Sequence, residues 1–126
     1  MAGGHAAGVQ FPPPRHFDLY INLYSIPMNS KNRVYQVVAA IPKGKVLCYS
    51  DVAKLAGIKS PRWVGRYLHI NEDTNLVPCH RVVSKNGMVA EKFGGGGREE
   101  HKRRLVREGV RLTGYRVDMG KCRWKL

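Results

Sequence analysis

Pro78, Cys79, His80, Arg81, Val82 and Val83 are consecutive, so a thiol, an imidazole and a guanidinium stand side by side behind a proline. The thiolate is the nucleophilic form of cysteine, and neighbouring imidazole and guanidinium groups raise the thiolate fraction. Cys79 is therefore a candidate nucleophile, with His80 and Arg81 expected to activate it. Pro78 fixes φ at the start and the β-branched pair Val82-Val83 favours extended backbone at the end. The hexapeptide thus predicts a turn running into a short strand, with Cys79 at a rim. Cys48 and Cys122 have no such company and read as small core or surface residues.

The surrounding elements follow from caps and periodicity. Asn29 or Ser30 caps a helix carrying Val34, Val37, Val38 and Ile41, which Gly44 closes. Ser50-Asp51 starts a second helix ended by Gly57. Ser60 and Pro61 then supply an N-cap and a favoured first residue for a third, placing Arg62 near the end where helices meet phosphates or base edges. Two helices joined by so short a turn have helix-turn-helix spacing. Beyond Cys79, Lys85-Asn86-Gly87 predicts a tight hairpin turn, Gly94 to Gly97 a flexible loop, and Arg98 to Arg107 a last helix ended at Gly109. The glycine run lacks a P-loop's lysine-serine ending, so it predicts no nucleotide site. In the tail, short strands flank an expected turn at Asp118-Met119-Gly120, and Trp124 is expected to anchor in the core. Residues 1–27, rich in small residues and including Pro12 to Pro14, form a flexible lead in which Phe17, Leu19, Ile21 and Leu23 alternate as in a strand.

The formal net charge is +13 on 126 residues, with a pI near 10.1. A basic surface of this size favours polyanions and makes binding salt-dependent. Arg98, Lys102, Arg103, Arg104 and Arg107 fit phosphate contact and a solvated basic helix almost equally well. There is no apolar run long enough to span a bilayer and no basic amphipathic anchor. Three cysteines without framework spacing, and no secretory signal, indicate a reducing intracellular setting.

The hexapeptide resembles the signature of the O6-alkylguanine-DNA alkyltransferase family, and the resemblance runs over roughly residues 30 to 112. Ile41-Pro42-Lys43-Gly44-Lys45-Val46 followed by Tyr49-Ser50-Asp51-Val52-Ala53 is similar to the family's first helix end and the entry to its DNA-binding helices. Arg62-Trp63-Val64-Gly65-Arg66 resembles its recognition helix. Asn71 lies eight positions before Cys79, like the family's structural asparagine, and Arg107-Glu108-Gly109-Val110 resembles its glutamate-glycine helix end. The resemblance implies an α+β, mainly helical, winged-helix-like domain over residues 28–126. Its implied partner is double-stranded DNA containing O6-alkylguanine, bound by a monomer without cofactor or metal. Cys79 would accept the alkyl group, His80 would act as base through a water, Glu108 would hold the imidazole, and Tyr49 would donate to the purine. A target atom inside the duplex requires base flipping. Arg62 is the implied wedge, with Ser60, Trp63, Gly65, Arg66, Arg81 and Lys92 also facing DNA.

Several positions depart from the family pattern. Glu91-Lys92-Phe93-Gly94 replaces the expected tyrosine-serine-glycine-glycine loop, Glu108 lies two residues further from Cys79 than usual, and Trp63 occupies a small-residue position. The family's N-terminal domain has no room in this length. The segment Arg66 to Val77 and the tail Arg123-Trp124-Lys125 look like the alkyltransferase-like branch, which normally has tryptophan in place of the acceptor cysteine. Lys92 falls where that branch places an arginine against the flipped base. Two function classes therefore stand: a stoichiometric enzyme consumed at Cys79, and a lesion binder that hands damage to excision repair without chemistry. A plain winged-helix regulator ranks last, since it has no need of Cys79, His80, Asn71 and Glu108 at these separations.

Overall fold

The computed structural model describes residues 29–125; the expected lead and its strand lie outside them. Asn29 caps α1 (Ser30–Ala40) by accepting the Asn32 N–H at 2.9 Å. The helix stops before Pro42 rather than running to Gly44, because a residue preceding proline is pushed out of the helical region, and Ile41 is indeed extended. α2 (Tyr49–Ala56) begins one residue earlier than Ser50, with Cys48 as N-cap and Asp51 Oδ2 accepting the Cys48 N–H at 3.3 Å. It ends, as expected, at Gly57, whose φ of 73° is a left-handed cap that glycine adopts without steric cost. α3 (Pro61–His69) starts on Ser60, whose Oγ accepts the Arg62 N–H at 3.2 Å.

Two residues, Leu47–Cys48 (β1), pair in parallel with Val82–Val83 (β2). Successive strand residues face opposite sides, so this ladder divides two apolar clusters. Leu47 and Val82 face the first, built from Val34, Val37, Val38, Ile41, Val52 and Val64. Val46 and Val83 face the second, with Val89, Leu105, Val110, Val117 and Cys122. The first cluster holds α1, α2 and α3 together; the second holds α4 (Gly97–Arg107) and the C-terminal hairpin.

That hairpin joins β3 (Leu112–Thr113) to antiparallel β4 (Arg116–Val117), with Gly114 at φ 61° in its turn. The tail thus turns at Gly114, and Asp118-Met119-Gly120 is no strand-to-strand turn. Asp118 instead caps a short helix α5 (Met119–Cys122), its Oδ1 accepting the Lys121 N–H at 3.3 Å, so α4 is not the last helix. Aspartate is a strong N-cap as well as a turn former. Trp124 is half-buried against the first cluster, and its N–H reaches Val46 O at 2.8 Å.

Candidate functional site

Between α3 and the loop that follows β2 lies a pocket of about 250 Å³. Tyr49, Gly65 and Leu68 form one wall and Ala90, Lys92 and Phe93 the facing one, while Asn71, Cys79, His101 and Arg104 close the base. Cys79 opens a single 3-10 turn, Cys79–Arg81, that runs straight into β2, as the hexapeptide predicts. The turn is held at its start: Cys79 N–H donates to Val77 O at 2.8 Å, and Asn71 Nδ2 donates to the same carbonyl at 2.8 Å. Asn71 therefore fixes the backbone that presents the thiol.

Burial pushes the Cys79 thiol above its ordinary pKa, while Asn71 and the Arg104 guanidinium pull the other way. Neither His80 nor Arg81 is among the groups that pull it down, so the expectation that these neighbours lower the thiol pKa is not met. Both turn towards Glu108. Arg81 grips that carboxylate with two bonds, Nε to Oε1 at 2.9 Å and Nη2 to Oε2 at 2.7 Å, and gives Nη1 to Ile41 O at 2.8 Å. Arg81 is thus a structural tie between α1, the 3-10 turn and α4's end, rather than a cation facing DNA.

His80 is buried, and its Nε2 approaches Glu108 Oε2 at 3.0 Å, off the line of a hydrogen bond. Its Nδ1 has no protein partner among the described residues. A carboxylate at Nε2 favours the proton there and leaves the Nδ1 lone pair available as a base. Burial would raise the Glu108 pKa, but His80 and Arg81 outweigh it and hold the carboxyl down to about 2. Tyr49 is the first residue of α2; burial, then the nearby Cys79, pushes its phenol up, so it stays protonated as a donor.

Sequence reasoning missed His101. It is almost fully buried in α4, accepts the Ala90 N–H on Nδ1 at 2.9 Å, and so presents Nε2–H to His80 O at 2.9 Å. One imidazole thereby ties the pocket loop to the Cys79 turn. Desolvation lowers its pKa to about 4, which keeps it neutral. Phe93 stacks on it at 4.5 Å, and Arg104 lies over Phe93 at 5.2 Å. A histidine within a basic helix carries no motif, and only its lodging against Ala90 and His80 marks it.

On the outer face of α3, Arg62, Trp63 and Arg66 are exposed, with Trp63 at 50%. Arg66 sits over the Trp63 ring at 5.2 Å, and Trp63 lies 5.8 Å from Tyr67. Ser60 is spent as the helix cap. Gly65 lines the pocket, where an added Cβ would meet Tyr49 at an ordinary 3.9 Å. Part of the basic α4 surface is internally paired: Glu100 holds Arg103 and Arg104, each at 2.7 Å. Among the described residues no helix is long and apolar enough to cross a membrane, and no group of three or more His, Cys, Asp or Glu could hold a metal ion.

A helix-turn-helix overhanging a pocket with a thiol at its base defines a small DNA-binding domain of winged type. A family model for the DNA-binding domain of 6-O-methylguanine DNA methyltransferase matches residues 29–110, and the chain belongs to that family. A DNA base-flipping protein of Escherichia coli is 39% identical over 94 residues, covering 73% of this chain and 71% of the relative. Alkyltransferase-like protein 1 of Schizosaccharomyces pombe is 34% identical over 100 residues, 74% of this chain and 92% of that one. Its crystal structure with damaged DNA containing O6-carboxymethylguanine superposes at a TM-score of 0.69, with 31% identity over 77% of this chain and 95% of the other. A methylated-DNA–protein-cysteine methyltransferase of Methanothermobacter thermautotrophicus is 40% identical over 100 residues, 78% of this chain but 54% of the relative. This chain thus spans about half of that methyltransferase.

Proposed function

We propose that this protein repairs O6-alkylguanine in DNA by flipping the base and transferring its alkyl group irreversibly to Cys79. The observation that carries this reading is the thiol itself, set at the base of a pocket roofed by the recognition helix and walled by the phenol of Tyr49. α3 would enter the groove, and Arg62, exposed and without a partner among the described residues, would fill the space the base vacates. The thiol proton passes through a water to His80 Nδ1, while Glu108 steadies the imidazole from the other nitrogen. The sulfur attacks the alkyl carbon; a carbon–sulfur bond forms, the carbon–oxygen bond breaks, and its electron pair stays on the purine. Tyr49 steadies that charge with a hydrogen bond from its phenol, and the proton taken up by His80 is returned through water to the purine.

A second reading is favoured by one observation: burial raises the Cys79 pKa, which leaves little thiolate at neutral pH. In it the protein flips and holds the lesion with Tyr49, Arg62 and Lys92 for excision repair proteins, without chemistry. Intact-protein mass after incubation with an O6-methylguanine duplex separates the two. A gain of one methyl that maps to Cys79 and vanishes in Cys79→Ala, with lesion binding retained, supports transfer. Tight lesion-selective binding with no mass gain would establish the binder instead.

A further inference from the structure

α4 and the loop after α3 line a second cavity, a groove of about 310 Å³ in which every lining residue is polar or charged. It shares only Thr74 and Arg104 with the lesion pocket, and buried His80 lines this groove and not the pocket. α4 brings Arg103, Arg104 and Arg107 to one wall. Both carboxylates in the groove are already engaged, Glu100 by Arg103 and Arg104, and Glu108 by His80 and by Arg81, which grips it from outside the groove. The Glu100 contacts occupy Arg103 Nε and Nη2 and Arg104 Nε, so Arg103 Nη1 and both Nη groups of Arg104 carry no hydrogen bond among the described residues. The Arg107 guanidinium, the Asn75 side-chain amide and the Thr74 hydroxyl have no partner there either. Four guanidiniums thus meet two carboxylates, and unused donors from two elements converge.

We propose that this groove is a second binding site, separate from the lesion pocket, and that its ligand is a phosphate group. A tetrahedral dianion offers oxygens in several directions, so it accepts from the α4 arginines and from Asn75 and Thr74 at once, and a guanidinium fork matches two of its oxygens. A carboxylate, with two oxygens and one charge, reaches fewer of these donors. A cation finds no free acceptor, because Glu100 and Glu108 are already bonded. The phosphate is either free in solution or part of a DNA backbone; the recognition chemistry is the same. Nothing in the site requires a damaged base or a reactive thiol, so it stands whether or not Cys79 is alkylated.

The test is an NMR titration of isotope-labelled full-length protein with inorganic phosphate at constant ionic strength, and with acetate in parallel. It follows the Nε–H signals of Arg103, Arg104 and Arg107 and the side-chain amide of Asn75. These signals should move together and saturate, with a dissociation constant on the order of 1 mM, and acetate should bind roughly fivefold more weakly. Arg107 is exposed, so Arg107→Ala should keep the fold while weakening phosphate about tenfold, as for loss of one charged hydrogen-bonding partner. Lys54→Ala removes an equal charge from a different groove and should change nothing. Undamaged duplex in phosphate-free buffer then separates the sources. Movement of the same signals, reversed by free phosphate, assigns the site to the DNA backbone; signals that answer to phosphate and ignore duplex assign it to the free ion. Shifts that grow without saturating, that follow acetate equally, or that survive Arg107→Ala unchanged would overturn the site.

Discussion

The two apolar clusters on either side of the β1–β2 ladder have different tasks. The first, made largely of valines and alanines from α1, α2 and α3, sets the angle of the recognition helix. The second gathers residues from separate short elements, Val46, Val83, Val89, Leu105 and Val117 among them, and so holds α4 and the hairpin against the pocket. On the proposed function one side would read DNA and the other would hold His101, Arg104 and Glu108 around the thiol. Binding and transfer should then be separable by mutation although they share one pocket.

Leu105→Ala breaks the second cluster alone. Leu105 is fully buried, and truncation should cost about 3 kcal/mol in denaturant unfolding. Where the variant remains folded, transfer should fall while affinity for undamaged duplex is unchanged; parallel loss of both would join the clusters into one functional unit. Acid acts on the same side. His101 has a folded pKa of about 4 against an ordinary 6.5, so below 6.5 the unfolded chain takes up a proton that the folded chain refuses. The stability present above pH 6.5 should be lost progressively down to about 4, by roughly 3 kcal/mol. A urea midpoint flat across that window would show that the imidazole is not held neutral.

Glu108→Gln removes the carboxylate shared by His80 and Arg81, leaving a largely buried guanidinium without its counter-charge. A cost of about 2 kcal/mol is expected, below the deep-burial range because the pair keeps some solvent contact, together with slower transfer at unchanged lesion affinity. Weakened lesion affinity instead would place Glu108 on the reading side. The smallest effect belongs to the first region: Arg62→Ala should weaken lesion binding by about tenfold without moving the thermal midpoint, as for loss of one charged contact. Binding as tight as the parent's would remove the wedge.

What was legible in the sequence was local. Asn29, Gly57 and Ser60-Pro61 announce their helix ends, because a cap is a contact between near neighbours in the chain. The Cys79 hexapeptide announces its turn and strand for the same reason. Arg81 was misread because its destination, Glu108 and the Ile41 carbonyl, lies 27 and 40 residues away. His101 was passed over because its meaning rests on Ala90 and His80, 11 and 21 residues away in the chain. The Asp118 segment misled because the same residue type opens turns and caps helices, and packing around Cys122 chooses between them.

The β1–β2 ladder has one more consequence. Its two strands bracket the stretch from Tyr49 to Arg81, so the helix-turn-helix and the thiol belong to a single closed loop of chain, hydrogen-bonded shut at its base. The loop-closure entropy is met once, by the fold as a whole. Excised as a peptide, α2 and α3 would lose that closure and the α1 face they rest on. The reading head is therefore not a portable module: grafted onto another scaffold it would need both strands, and anything that opened the ladder would release grip and reactivity together.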